Sequence, residues 1–241
     1  MKYSIIMPYH RKRTLHNTLL SYLHHYSGRK DYEVLVMEDC KNIADGDEHR
    51  ALQVIIKDFA GKLNIRRVET HFENSYAPSR IFNMGADHAK GDFLVLTSPE
   101  CFHITGVLDQ FDRILAWNPD AYITASCFST DDNGIVQKFG NFKPKREIWL
   151  DHPQHLNRNL YWCAVISKPL YRKVGGIDEG YAPGFGREDV DFVRTVKAAG
   201  IMIVARDDIL VAHQNHPDFS SRKRELHALN AKYYAKKWRG K

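Results

Sequence analysis

The chain has 241 residues, 43% of them hydrophobic, which suits one large domain with a real core. No apolar run approaches the roughly 20 residues a membrane span needs, and the opening Met1-Lys2-Tyr3-Ser4 enters an apolar run too short for a signal peptide, so neither a membrane-spanning nor a secreted chain is expected. The net charge of +6 is concentrated: residues 222–241 carry eight Lys or Arg against Glu225 alone, leaving 27 basic and 28 acidic residues in a near-neutral body.

Tyr3-Ser4-Ile5-Ile6-Met7 reads as a strand that Pro8 stops. After the polar turn Tyr9-His10-Arg11-Lys12-Arg13, Thr14 is placed to cap a helix carrying Leu15, Leu19, Tyr22, Leu23 and Tyr26 at helical spacing. Tyr32 to Met37 is a second strand, closed by Glu38-Asp39. A helix near Arg50–Phe59 and a strand near Ile65–Glu69 follow. Pro78 suits a first helical turn, and Ile81, Phe82, Met84, Ala86 and Ala89 carry that helix to Gly91. Phe93-Leu94-Val95-Leu96 is a short buried strand before Thr97-Ser98-Pro99-Glu100. Beyond residue 100 the pattern is less regular. It shows a helix near Gly106–Trp117, a strand Ala121–Ala125, and a polar stretch Ser129–Arg146 with a turn at Asp131-Asp132-Asn133-Gly134. A strand over Tyr161–Ile166 and a helix from Ser167 to Gly175-Gly176 come next, then a strand pair near Met202–Ala205 and Ile209–Ala212.

Strands alternating with helices over the first hundred residues predict an α/β fold, a mostly parallel sheet flanked by helices. Ligands then bind beyond the carboxyl ends of the strands. Tyr9, His10 and Arg11, then Glu38 and Asp39, then Ser98 and Glu100 fall on that one edge. No GxGxxG follows the first strand and no Walker A sequence is present. The most informative stretch is Gly184-Phe185-Gly186-Arg187-Glu188-Asp189-Val190-Asp191-Phe192, which sets three acids at a helix start. They fit the positive end of the helix dipole and also fit acid–base chemistry.

Four stretches, in order, resemble the GT-A glycosyltransferases of the family 2 type: Ser4 to Arg11, Val34 to Asp39, Asn83-Met84-Gly85-Ala86 through Gly91-Asp92-Phe93-Leu94, and Gly175-Gly176-Ile177-Asp178-Glu179 followed by Gly186 to Phe192. The last is similar to a galactosyltransferase-type Glu-Asp motif. The resemblance covers the chain to about residue 216. It implies a single GT-A, Rossmann-like domain over 1–220, with a nucleotide-sugar half (1–100) and an acceptor half (101–220), and a basic C-terminal helix over 221–241. One departure stands out. The family places Asp-x-Asp after the fourth strand, where it holds a divalent metal. Here Thr97-Ser98-Pro99-Glu100 keeps only the last acid.

The resemblance implies an inverting transfer of a hexosyl group from a nucleotide sugar, UDP-linked by expectation, to a hydroxyl. Asp189 is the candidate base and Glu188 its partner, while Asp191 is read as structural. Pro8, Tyr9, Arg11, Asp39, Arg80 and Ser98 are candidates for the nucleotide sugar, and Trp162 for the acceptor. Glu100 and His213 are candidate metal ligands; their mixed oxygen and nitrogen character favours Mn2+, with Mg2+ as the alternative. Two other readings stay open: a nucleotidyltransferase on a related fold, and a non-catalytic nucleotide-sugar or nucleic-acid binding module. The tail carries Leu226, Leu229, Tyr233 and Trp238 among its basic residues. It is expected either to pack on the body or to dock an anionic membrane or DNA, with a glycan, a lipid-linked glycan or a modified nucleic acid as acceptor. Cys40, Cys101, Cys127 and Cys163 form no CxxC, so a reducing cytoplasm, with peripheral membrane contact as an option, is the expected compartment.

Overall fold

The computed structural model describes residues 1–9, 12–40, 46–72, 78–130, 148–216 and 223–240, without the side chains of Lys12 and Arg13. Arg11 and the expected turn at 131–134 lie outside the described residues.

One mixed sheet forms the centre. Its strands are β1 (Tyr3–Tyr9), β2 (Tyr32–Asp39), β3 (Ile65–Thr70), β4 (Phe93–Thr97), β5 (Cys101–His103), β6 (Tyr122–Thr130), β7 (Trp149–Asp151), β8 (Cys163–Ser167) and β9 (Ile203–Gln214). They lie in the order β3-β2-β1-β4-β8-β6-β9-β5, with β7 beside the end of β6. β1 to β4 are parallel; β8 runs against β4 and β6, and β5 runs against β9. Every residue of β1 and β2 is buried, as expected for parallel strands covered on both faces. Helices α1 (Lys12–Tyr26), α2 (Gly46–Phe59) and α4 (Val107–Leu115) seal one face through residues such as Leu19, Ile55 and Phe111. Helices α3 (Pro78–His88), α5 (Lys168–Lys173) and α6 (Glu188–Ala198) seal the other through Phe82, Tyr171 and Phe192. The last helix, α7 (Lys223–Lys237), packs near a short 3-10 turn at Glu179–Tyr181.

Three details depart from the sequence reading. β1 runs through Pro8 to Tyr9. Its pairing with β4 ends at Ile6, so one side of Pro8 is open and its missing N–H is tolerated. The expected pair of late strands is one strand, β9, bulged so that Arg206 pairs with Ala125 while Leu210 pairs with the next residue, Ser126. Arg206 and Asp208 form a forked ion pair at the bulge, at 2.7–2.8 Å. β5 and β7, three residues each, are too short to announce themselves by periodicity.

Candidate active site

The carboxyl ends of β1, β2, β3, β4, β6 and β9 share one edge of the sheet, joined by the starts of the antiparallel β5 and β8. α6 begins at this edge, since β9, which follows it, starts from the opposite one. Glu188 and Asp189 occupy its first turn. The residues before them turn sharply: Gly186 has φ 71° and Arg187, a residue with a Cβ, has φ 74°. A non-glycine residue held there is strained, a condition common at functional sites.

Glu188 is 9% exposed and Asp189 is partly covered. Among the described residues no cation forms an ion pair with either. Burial first, then the neighbouring Asp189 charge, pushes the Glu188 carboxyl well above the usual range. Burial also raises Asp189, opposed by the Val190 N–H it accepts at 2.7 Å and by the charges of Arg158 and Arg187. The pair therefore holds one proton more readily than exposed acids would. Asp151 lies in the same quarter. It accepts the N–H groups of Arg158, Asn159 and Leu160 and so pins the loop that brings Arg158 toward Asp189; burial raises it to about 6. Neither Asp151 nor Arg158 was singled out from sequence, because the loop spacing between them carries no motif.

Asp191 has a different surrounding. It accepts from Tyr181 Oη at 3.0 Å, Lys237 Nζ at 2.7 Å and Trp238 Nε1 at 2.6 Å. These bonds tie α6 to the C-terminal tail. Asn230, 1% exposed, donates to the carbonyls of Tyr181 and Gly186 at 3.0 and 2.8 Å. A Cβ on Gly180 would collide with Tyr233, and one on Gly184 with Asn230, so both glycines let α7 lie close on the backbone. Lys237 and Tyr233 also reach Asp178, at 2.7 and 3.1 Å. A cavity of about 390 Å³ beside this contact is lined by Asn83, Gly176, Asp178, Glu179, Asp191 and Lys237. It touches neither Glu188 nor Asp189, and it is not the site assembled at the sheet edge.

β5 pairs with β9 so that Cys101 stands opposite His213, which sets Glu100 beside the end of β9. Gln214 N–H donates to the Glu100 carbonyl at 2.9 Å, and Thr18 Oγ1 donates to Pro99 O at 2.6 Å, staking this turn to α1. Among the described residues His213 Nδ1 is buried without a hydrogen-bond partner, and burial holds the ring's pKa down to about 3, so the imidazole is neutral with a lone pair to offer. Its ring meets Trp162 edge-on at 5.0 Å; Trp162 Nε1 is also buried without a partner among the described residues. A carboxylate from Glu100, in the turn before β5, and the bare His213 nitrogen on β9 are a donor set that suits a divalent ion taking its other ligands from water and phosphate.

Pro8 is the last residue but one of β1 and Asp39 ends β2, and Asp39 is fully buried. Tyr9 is also fully buried, facing α2, where its hydroxyl donates to Glu48 Oε2 at 3.0 Å. Its side chain supports this edge from beneath. Ser98 donates to Cys101 Sγ at 3.4 Å within its turn. Arg80, in the first turn of α3, pairs with Glu179 at 3.5 Å. Asn83 bridges that helix to the glycine turn, donating to Ile177 O at 2.9 Å and accepting from Tyr171 Oη at 2.7 Å. Glu38, placed on this edge from sequence but given no role, is fully buried and meets both Arg67 and His49. Thus His213 and Trp162 come together beside the turn that carries Glu100, Tyr161 beside Trp162 reaches toward Phe82 and Phe192, and the Glu188–Asp189 pair opens α6 on the same edge.

This strand order, with polar residues gathered at the carboxyl edge, is the GT-A fold of nucleotide-sugar glycosyltransferases. Solved structures with that fold match the chain. S. aureus TarS 1-349 in complex with UDP-GlcNAc is 18% identical over 98% of this chain and 67% of that one, with a TM-score of 0.67. The mannosyltransferase PcManGT from Pyrobaculum calidifontis, in complex with GDP-Man and Mn2+, is 14% identical over 97% and 62%, with a TM-score of 0.64. GalNAc-T7 with UDP, GalNAc and Mn2+ is 13% identical over 90% and 44%, with a TM-score of 0.65. The chain spans 60% of another structure of the same TarS fragment. No protein-family model and no curated protein matches the sequence. At these identities the likeness establishes the fold.

Proposed function

We propose that the protein is an inverting glycosyltransferase that moves a sugar from a nucleotide sugar to a hydroxyl acceptor. The observation that carries this reading is the Glu188–Asp189 pair: a buried and a partly covered carboxylate without a salt bridge among the described residues, at a helix start on the edge where the donor-side residues end. Asp189 takes the acceptor hydroxyl proton as the new bond to the sugar carbon forms and the bond to the diphosphate oxygen breaks on the opposite face. Glu188 stays protonated at neutral pH and offers a hydrogen bond to the acceptor. Pro8 and Asp39 form the nucleoside side, with Asp39 accepting from the base. Arg80 and Ser98 face the phosphates, and Trp162 offers an acceptor sugar a flat apolar surface. Arg80 exchanges Glu179 for phosphate when donor binds.

Glu100 and His213 would hold a divalent ion, Mn2+ first, which when bound neutralises charge on the departing diphosphate. UDP sugars and GDP-mannose are the first donors to try, because structures of this fold carry them. The exposed basic side of α7, with Arg224, Lys232 and Lys236, and Arg239 just past its end, is the face that would meet an anionic membrane or polymer bearing the acceptor. Purified protein with Mn2+ and a panel of nucleotide sugars, with and without candidate acceptors, should release nucleoside diphosphate from one donor. Failure across the panel, with no donor raising the melting temperature, would overturn the reading.

A further inference from the structure

We propose that Cys40, Glu69 and His71 form a binding site for a soft divalent transition metal of the zinc type, separate from the Glu100–His213 pair. β2 and β3 are parallel with Asp39 opposite Thr70. Cys40, just past β2, is thereby set beside His71, just past β3, and its N–H donates to Thr70 O at 3.0 Å. Glu69 and His71 are two residues apart on extended chain and share a side. The thiol sulfur, a Glu69 oxygen and a His71 nitrogen lie within 4.8 Å of one another.

Two features distinguish this cluster from an ordinary surface group. His71 Nε2 is 3.6 Å from Glu69 Oε2. That is long for a hydrogen bond. It is close to the edge of a tetrahedron around an ion with bonds of about 2.0–2.2 Å, which is roughly 3.4 Å. Arg67 takes the other Glu69 oxygen and also holds Glu38, so the Glu69 carboxylate is oriented with Oε2 left toward His71. Two carboxylates against one guanidinium leave the corner negative. On coordination the Cys40 thiol gives its proton to solvent and its sulfur bonds the ion, adding a second negative charge. Sulfur, imidazole and carboxylate together select zinc or cobalt over the harder magnesium and manganese. Three protein ligands leave a fourth position open to water or a ligand. An ion here would fasten the ends of β2 and β3 together next to Asp39.

The test is titration of the tag-free full chain with Co2+ alone. One equivalent should produce a near-ultraviolet thiolate-to-cobalt band together with intense tetrahedral visible bands, and Zn2+ should abolish both. Cys101, Cys127 and Cys163 are buried, so Cys40 is the thiol within reach. Cys40→Ser should erase the near-ultraviolet band. His71→Ala should weaken Zn2+ binding by more than the roughly 10–100-fold lost with an outer partner. These positions are at the surface, and circular dichroism confirms that each variant folds. A wild-type chain without the band, a band that survives Cys40→Ser, or unchanged affinity in His71→Ala would overturn the proposal, and none of these outcomes bears on glycosyl transfer.

Discussion

Two places in this molecule set a glutamate before an aspartate at the sheet edge, and the surroundings treat them in opposite ways. Glu38 is fully buried, yet Arg67 bonds one of its oxygens and His49 stands 2.8 Å from the other. Its charge is compensated where it sits, and it locks β2 to β3 and α2. Glu188 and Asp189 form no ion pair among the described residues, and burial pushes both above the ordinary range, with the more distant charges of Arg158 and Arg187 only partly opposing this at Asp189. A buried acid that is fully paired is architecture. A buried pair left uncompensated is poised to exchange a proton, and such perturbed groups gather at functional sites.

The comparison breaks first at Asp189. Asp189→Asn should lower transfer by about 10²–10⁴-fold, the span of a lost general base, while donor still raises the melting temperature. At the other pair the loss is of stability. Glu38→Gln leaves Arg67 facing a neutral amide, and chemical denaturation should show a loss of about 3 kcal/mol, the low end for breaking a buried ion pair. Arg158→Ala sharpens the comparison through pH. Arg158 favours the ionised form of Asp189, so without it Asp189 becomes harder to ionise. The acid limb of the pH–rate profile should move to higher pH, with the plateau rate little changed. The smallest effect belongs to Glu188→Gln. If Glu188 works as the protonated partner, an amide replaces it with most of the activity kept; a loss as deep as that of Asp189→Asn would exchange the two roles.

The parallel half of the sheet was legible because β1 and β2 are continuous apolar runs ending in polar residues, a pattern that short-range chemistry dictates. The Glu188–Asp189 pair was legible for a similar reason: glycines, acids and a helical apolar period lie within a few residues. What escaped depends on partners far along the chain. Glu38 looks like any acid after a strand until Arg67, 29 positions later, folds against it. From sequence the tail could either pack on the body or dock an anionic partner, with no sign of which residues would do the packing. Its inward residues are Asn230, Tyr233, Lys237 and Trp238, whose hydrogen bonds to Asp178, Asp191 and backbone carbonyls leave no mark on hydrophobic periodicity. Tyr9 seemed free to line a pocket because its burial depends on α2, which lies well downstream.

The grip of α7 on the Gly184–Arg187 turn also sets an order of events. Gly186 and Asn230, which hydrogen-bond each other, are 44 positions apart, so the acidic pair leaves the ribosome well before the residue that steadies the turn in front of it. The sheet strands are synthesised before Asn230, Lys237 and Trp238. A nascent chain halted ahead of those three would carry every side chain assigned to the chemistry and still lack the bonds that hold the Glu188 turn in place. Steadying of the Glu188 turn thereby waits until Asn230, Lys237 and Trp238 have been made.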